Sequence, residues 1–171
     1  APSGVDTNVV VLLHGLGDSS APFMRLGRTL QRTLPQTAIL SVNAPLRVPL
    51  LEEAAWMWWD SFDMLGESTS MLRVITRPDP RRAIAALAGL LGYLVSIGWP
   101  QECIHLFGYA QGGSLALETL VAERSSLRVG SAASIGGRFF GALPLTASDI
   151  LSATDTPVLV VTRFPAASLQ V

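Results

Sequence analysis

The stretch Gly108-Tyr109-Ala110-Gln111-Gly112-Gly113 has the residue types of a nucleophile-bearing turn with a methyl group where the nucleophile belongs. Serine at position 110 would complete G-x-S-x-G. In that motif the serine sits on a tight strand-to-helix turn, and glycines let the backbone pass where a Cβ would clash. The pattern predicts a strand from Glu102 to Phe107 leading in and a helix from Gln111 to about Arg124 leading out. A methyl group cannot attack a carbonyl. A second stretch, Val9 to Asp18, runs an apolar strand into the turn His14-Gly15-Leu16-Gly17-Asp18. Acyl-transfer sites of this kind take one oxyanion N–H from the residue after the nucleophile and another from a loop after an early strand. Here those donors are Gln111 and Leu16, with His14, Gly15, Gly17, Asp18, Gly108 and Gly112 forming the supporting turns.

Between the two stretches lies Trp58-Trp59-Asp60. The three together resemble, in order and spacing, the H-G-L-G-D, W-F-D and G-F-S-Q-G-G motifs of the acyl-protein thioesterase, or phospholipase/carboxylesterase, family of α/β-hydrolases. Gly98-Trp99-Pro100 and Ser134-Ile135-Gly136-Gly137-Arg138 extend the likeness over nearly the whole chain. The resemblance implies an α/β-hydrolase-like, doubly wound, mostly parallel sheet. It also implies serine hydrolysis of carboxylic esters or palmitoyl thioesters, without cofactor or metal. The connection from Ala44 to Arg82 resembles that family's flap beside an acyl groove, which makes Met57, Trp58 and Trp59 groove candidates, extended by Leu50, Leu51 and Met64. Packing over the sheet edge and a protein-binding patch are the competing readings of the same residues.

The departures from the family pattern weigh more than the matches. The triad of this fold runs Ser, then Asp or Glu, then His along the chain. Both histidines, His14 and His105, precede Ala110, and His105 falls inside the elbow strand, where a packed or partly exposed core histidine is expected. The strand Thr156 to Thr162 should present the triad Asp, yet Arg163-Phe164-Pro165-Ala166-Ala167-Ser168 follows it. Asp155 stands at the wrong end of that strand and Asp149 lies earlier still. With Val171 last, the family fold is expected to be truncated after the strand at 156–162. Truncation accounts for the missing His but not the missing Asp, so natural loss is favoured over an engineered serine replacement at Ala110. Cys103 reads as a small core hydrophobe. Ser114 is the better substitute nucleophile but is inert without a neighbouring base. Two functions follow: an inactive hydrolase-like binding or assembly module, or an inactivated or incomplete chain of an active serine carboxylesterase or acyl-protein thioesterase.

The elements that must position these residues alternate between strand and helix, which argues for a mostly parallel sheet with helices on both faces. Val9 to Leu13 and Thr37 to Val42 read as strands, and Pro22 to Leu34 as a helix with Met24, Leu26, Leu30 and Leu34 inward. The uncharged run Ala83 to Trp99 is near the lower limit for a membrane span. Asp79 as N-cap, Pro80 at the first helical position and Gly98 with Pro100 at the end instead mark a core helix. Its inward face is Ala83, Ile84, Leu87, Leu90, Leu91, Leu94 and Val95. The 171 residues suit one domain, 1–171. A net charge of −1 with scattered arginines offers no basic face for nucleic acid. One cysteine excludes an internal disulfide framework and agrees with a reducing compartment. Ala1-Pro2-Ser3-Gly4 does not open a signal peptide, so a cytoplasmic location is expected, with the nucleus also open to the chain. The expected ligand is an acyl chain or carboxylate. Val158 to Val161, as an apolar sheet edge, is expected to take a protein partner or a second copy.

Overall fold

Val9 to Leu13 has no polar face, so the strand carrying it has to be covered on both sides. In the computed structural model, which describes residues 1–64, 72–74, 78–141 and 155–162, that strand is β1 (Asn8–Leu13), second from one edge of a five-stranded sheet. The other members are β2 (Thr37–Val42), β7 (Ile104–Tyr109), β8 (Ser131–Ile135) and β9 (Val158–Val161), in the order β2-β1-β7-β8-β9. Every pairing is parallel. Parallel strands need crossovers, and among the described residues these run through α1 (Ser20–Leu30), α2 (Arg81–Ser96) and α3 (Gln111–Ala122). The architecture is the α/β-hydrolase-like sheet expected from the sequence.

Among the described residues the two sheet faces are covered unequally. Val9, Val11, Leu13, Ile104, Leu106 and Ala132 point to one face, where α2 and α3 seal them into the main core. On α2 the buried positions are Ala83, Ile84, Leu87, Leu91 and Leu94, with Leu90 and Val95 packed at the margin, as the helical spacing predicts. The helix ends in a Schellman arrangement: Gly98 N–H donates to Val95 O, Trp99 N–H to Leu94 O, and Gly98 takes φ 106°. Its start differs by one position from expectation. Pro80 is the cap, and Asp79 accepts the Arg81 N–H from one residue further out. The helix is too short for a span, and among the described residues no helix is long and apolar enough to cross a membrane.

α1 lies on the other face, over β1 and β2, and corrects the sequence reading. Phe23 and Gly27 are its buried residues, whereas Leu26 and Leu34 are exposed. The cause is close approach: a Cβ on Gly27 would overlap Ile39 Cγ2 and lie 3.1 Å from Leu12 Cδ1, so the glycine sets the helix against the sheet, leaving Met24 and Leu30 half-buried at its margin. The elbow strand also starts later than expected. Gln101–Cys103 form a 3-10 turn (η1) and the ladder begins at Ile104. The long connection is not bare loop. It carries β3 (Leu46–Arg47) paired antiparallel with β4 (Trp56–Met57), and β5 (Phe62–Met64) paired with β6 (Leu72–Val74). Among the described residues β9 is the last strand of the sheet, and all four of its residues are exposed.

Candidate functional site

The turn between β7 and α3 is built around one strained residue. Ala110 has φ 47° and ψ −112°, outside the regions open to an ordinary L-residue. Three bonds and contacts hold it there. Ala110 N–H donates to Ile135 O at 2.8 Å, its carbonyl accepts Ser114 N–H at 3.0 Å, and a Cβ on Gly108 would overlap Gly112 O. The glycines before and after Ala110 are therefore required by backbone-to-backbone contact, and the elbow is formed although position 110 is a methyl.

The second loop is pressed directly against the first. A Cβ on Gly112 would overlap Leu13 O and lie 2.6 Å from His14 O, and one on Gly15 would lie 3.4 Å from Ala110 Cβ. His14 locks this contact from inside. It is fully buried; Nε2 accepts Ala44 N–H at 3.0 Å and Nδ1 lies 2.7 Å from Gly15 O. An acceptor at Nε2 leaves the proton on Nδ1, so the ring is neutral and donates to Gly15 O. Burial holds its pKa below the ordinary histidine value, against the opposing pull of the Gly15 carbonyl and Asp18. Within the turn, Gly17 N–H donates to Trp56 O and Asp18 N–H to Gly15 O, while Leu16 N–H and Gln111 N–H meet no acceptor among the described residues.

Gln111 and Trp58 join these loops to the W-W-D segment. Gln111 Oε1 accepts Trp58 N–H at 2.8 Å, and its Nε2 donates to Ser61 Oγ at 2.9 Å and Trp59 O at 3.3 Å. Trp58 Nε1 donates to His14 O at 2.8 Å, with its ring tilted over the imidazole. Met57, Trp58 and Trp59 are thus buried: Met57 packs with Val48 and Ala55, and the two tryptophans join the main core. Among the described residues, exposed large apolar side chains on the loops at this end include Leu16, Tyr109, Phe139 and Phe140, the last edge-on to Trp59. Leu50 and Leu51 are exposed as well, and the side chain of Met64 lies outside the described residues.

A third loop, after β8, is tied to α3 by two polar side chains the motifs did not reveal. Ser114 Oγ accepts Arg138 N–H at 2.8 Å, and the buried carboxylate of Glu118 accepts the N–H groups of Phe140 and Gly141. Ser114 is therefore a buried strut and not a second nucleophile. Its only sequence signal, and that of Glu118, is a polar residue on an otherwise apolar helix. The other sequence candidates lie away from the elbow. His105 and Cys103 are at the opposite end of β7, and Asp155 pairs with Arg128 at 2.8 Å. Asp149 and the run Arg163 to Ser168 lie outside the described residues. Among the described residues no cluster of His, Cys, Asp or Glu could hold a metal ion.

The structure thus brings a strained strand-to-helix elbow against the turn after β1, and residues 1–161 match the phospholipase/carboxylesterase family. The chain belongs to the phospholipase/carboxylesterase family. Within it, the chain is 44% identical over 164 residues to an uncharacterized hydrolase of Mycosarcoma maydis, covering 94% of this chain and 58% of that one. It is 33% identical over 135 residues to an uncharacterized hydrolase of Schizosaccharomyces pombe, covering 76% and 53%. The chain thus spans little more than half the length of these relatives. The acyl-protein thioesterase 2 of Zea mays superposes with a TM-score of 0.64 at 22% identity, over 94% of this chain and 72% of that one, which shows the shared fold.

Proposed function

We propose that this phospholipase/carboxylesterase-family chain binds acyl carboxylates at its elbow without hydrolysing esters there. The observation that carries the reading is Ala110: the elbow keeps φ 47° with a methyl where attack on a carbonyl requires a hydroxyl or thiol. Neither histidine is placed to act as base for position 110, since both nitrogens of His14 are engaged with Ala44 and Gly15, and His105 is at the far end of β7. What the site offers instead is positive potential. α3 begins at Gln111, and its free first-turn N–H groups and dipole favour an anion. The N–H of Leu16 is the second donor. An apolar tail has Leu16, Tyr109 and Phe140 to lie against, in place of Met57 and Trp58, whose surfaces are spent in the core.

Calorimetric titration with octanoate tests this. The chain should bind one equivalent saturably, and Ala110→Asp, which sets a tethered carboxylate among the same donors, should abolish binding. Failure of octanoate to bind, or binding untouched by Ala110→Asp, overturns the reading. The second reading, an inactivated or incomplete chain of a serine carboxylesterase, is favoured by one observation: the turn at Ala110 holds about 1 to 3 kcal/mol of strain that serves no purpose without a nucleophile.

A further inference from the structure

At the end of β7 opposite the elbow, three polar side chains from three adjacent strands meet on the face that α1, among the described residues, covers only in part. Ser131 Oγ lies 2.9 Å from His105 Nδ1, and His105 Nε2 lies 3.2 Å from Asn8 Oδ1. The direction of these bonds follows from their neighbours. Asn8 Nδ2 donates to Thr7 Oγ1 at 3.0 Å, and the Thr7 hydroxyl donates to Gln36 O at 3.2 Å, which turns the Asn8 amide oxygen toward the ring. An amide oxygen only accepts, so Nε2 carries the proton and Nδ1 is left to accept from the Ser131 hydroxyl. Nucleophile to base to orienting group is the arrangement by which a serine hydroxyl is activated. All three side chains line one cavity of about 650 Å³, whose apolar walls include Val10, Leu30, Leu34 and Leu159.

We propose that Ser131 accepts acyl groups, with His105 as its base and Asn8 as the residue that positions His105, in a cavity suited to esters of short apolar acids. The step balances without a cofactor. Ser131 Oγ bonds to the acyl carbon as its proton passes to His105 Nδ1; the ester C–O bond breaks, and the departing alkoxide takes that proton as the alcohol. Desolvation holds the His105 pKa below its ordinary value, so the ring is neutral and able to accept at neutral pH. The inference is limited to formation of the acyl-serine and is independent of ligand binding at the elbow.

The test is incubation of the full chain with p-nitrophenyl butyrate, followed by peptide mass mapping. The expected result is a burst of about one equivalent of nitrophenolate, with a butyryl adduct on Ser131. Ser131→Ala should abolish the adduct, and His105→Gln should slow its formation by about 10²-fold or more. Asn8→Ala should slow it too, and Asn8→Asp, which restores an acceptor for Nε2–H, should recover the rate, a pattern that a purely structural asparagine does not give. Far-UV circular dichroism checks each variant; if His105→Gln does not fold, Ser131→Ala and the Asn8 pair decide. Absence of an adduct, an adduct on another residue, or a rate indifferent to His105 and Asn8 would overturn the assignment.

Discussion

At the C-terminal end of β7 the backbone turns sharply around the methyl of Ala110 into the first turn of α3; at the N-terminal end Ser131, His105 and Asn8 form a directed hydrogen-bond chain, and the surrounding backbone is committed to the sheet ladder. The difference follows from strand direction. In a parallel sheet each helix begins beyond the carboxyl end of a strand, so unpaired N–H groups and positive dipole ends gather there. The elbow is therefore a property of backbone and glycine contacts, and it forms with a methyl at position 110. The Ser131 relay is a property of side chains alone and lies where the fold supplies no helix N-terminus.

The strongest way to break the comparison is to strike each end at its own support. Gly112→Ala drives a Cβ into Leu13 O and His14 O and should destabilise the chain by about 3 kcal/mol or more. Ser131→Ala removes one half-buried hydroxyl and should cost about 1 kcal/mol or less. Urea denaturation of both variants checks this, and equal costs would show that the elbow contacts are slack.

A smaller effect sharpens the comparison through pH. Both histidines have pKa values pushed down by burial. Between the depressed folded value and the unfolded value near 6.5, the unfolded chain binds more protons. The stability due to neutral His14 and His105 is thus fully present above about pH 6.5 and is lost as the pH falls through the folded values. His14→Gln should flatten this slope more than His105→Gln, because His14 is enclosed on all sides and His105 faces an open cavity. Melting temperatures measured from pH 8 to pH 5 give the answer.

Much of this was legible in the residues. The apolar run of β1, the two glycine turns and the Gly98 stop each have a local cause, so strand order by type, the elbow and α2 follow from spacing. The inward face of α1 did not follow, because Gly27 rather than a leucine sets its contact with Ile39, and a glycine leaves no mark in a hydrophobic pattern. Met57, Trp58 and Trp59 look like a groove wall in the sequence, and the bonds from Trp58 to His14 and Gln111, which tie the segment to both turns, leave no mark in it. His105 reads as a core histidine because Asn8 and Ser131, distant in the chain, become its partners only through strand register.

The central claim, that the elbow retains its shape but lacks chemistry in this chain, is tested most directly by sustained hydrolysis of p-nitrophenyl octanoate. The comparison is between Ser131→Ala, in which the relay at the other end is silenced, and the same chain carrying Ala110→Ser as well. The account predicts no turnover above buffer in the first and none in the second, because a hydroxyl at position 110 would find His14 already bonded on both nitrogens. Steady multiple turnover in either chain, surviving repurification, would contradict it.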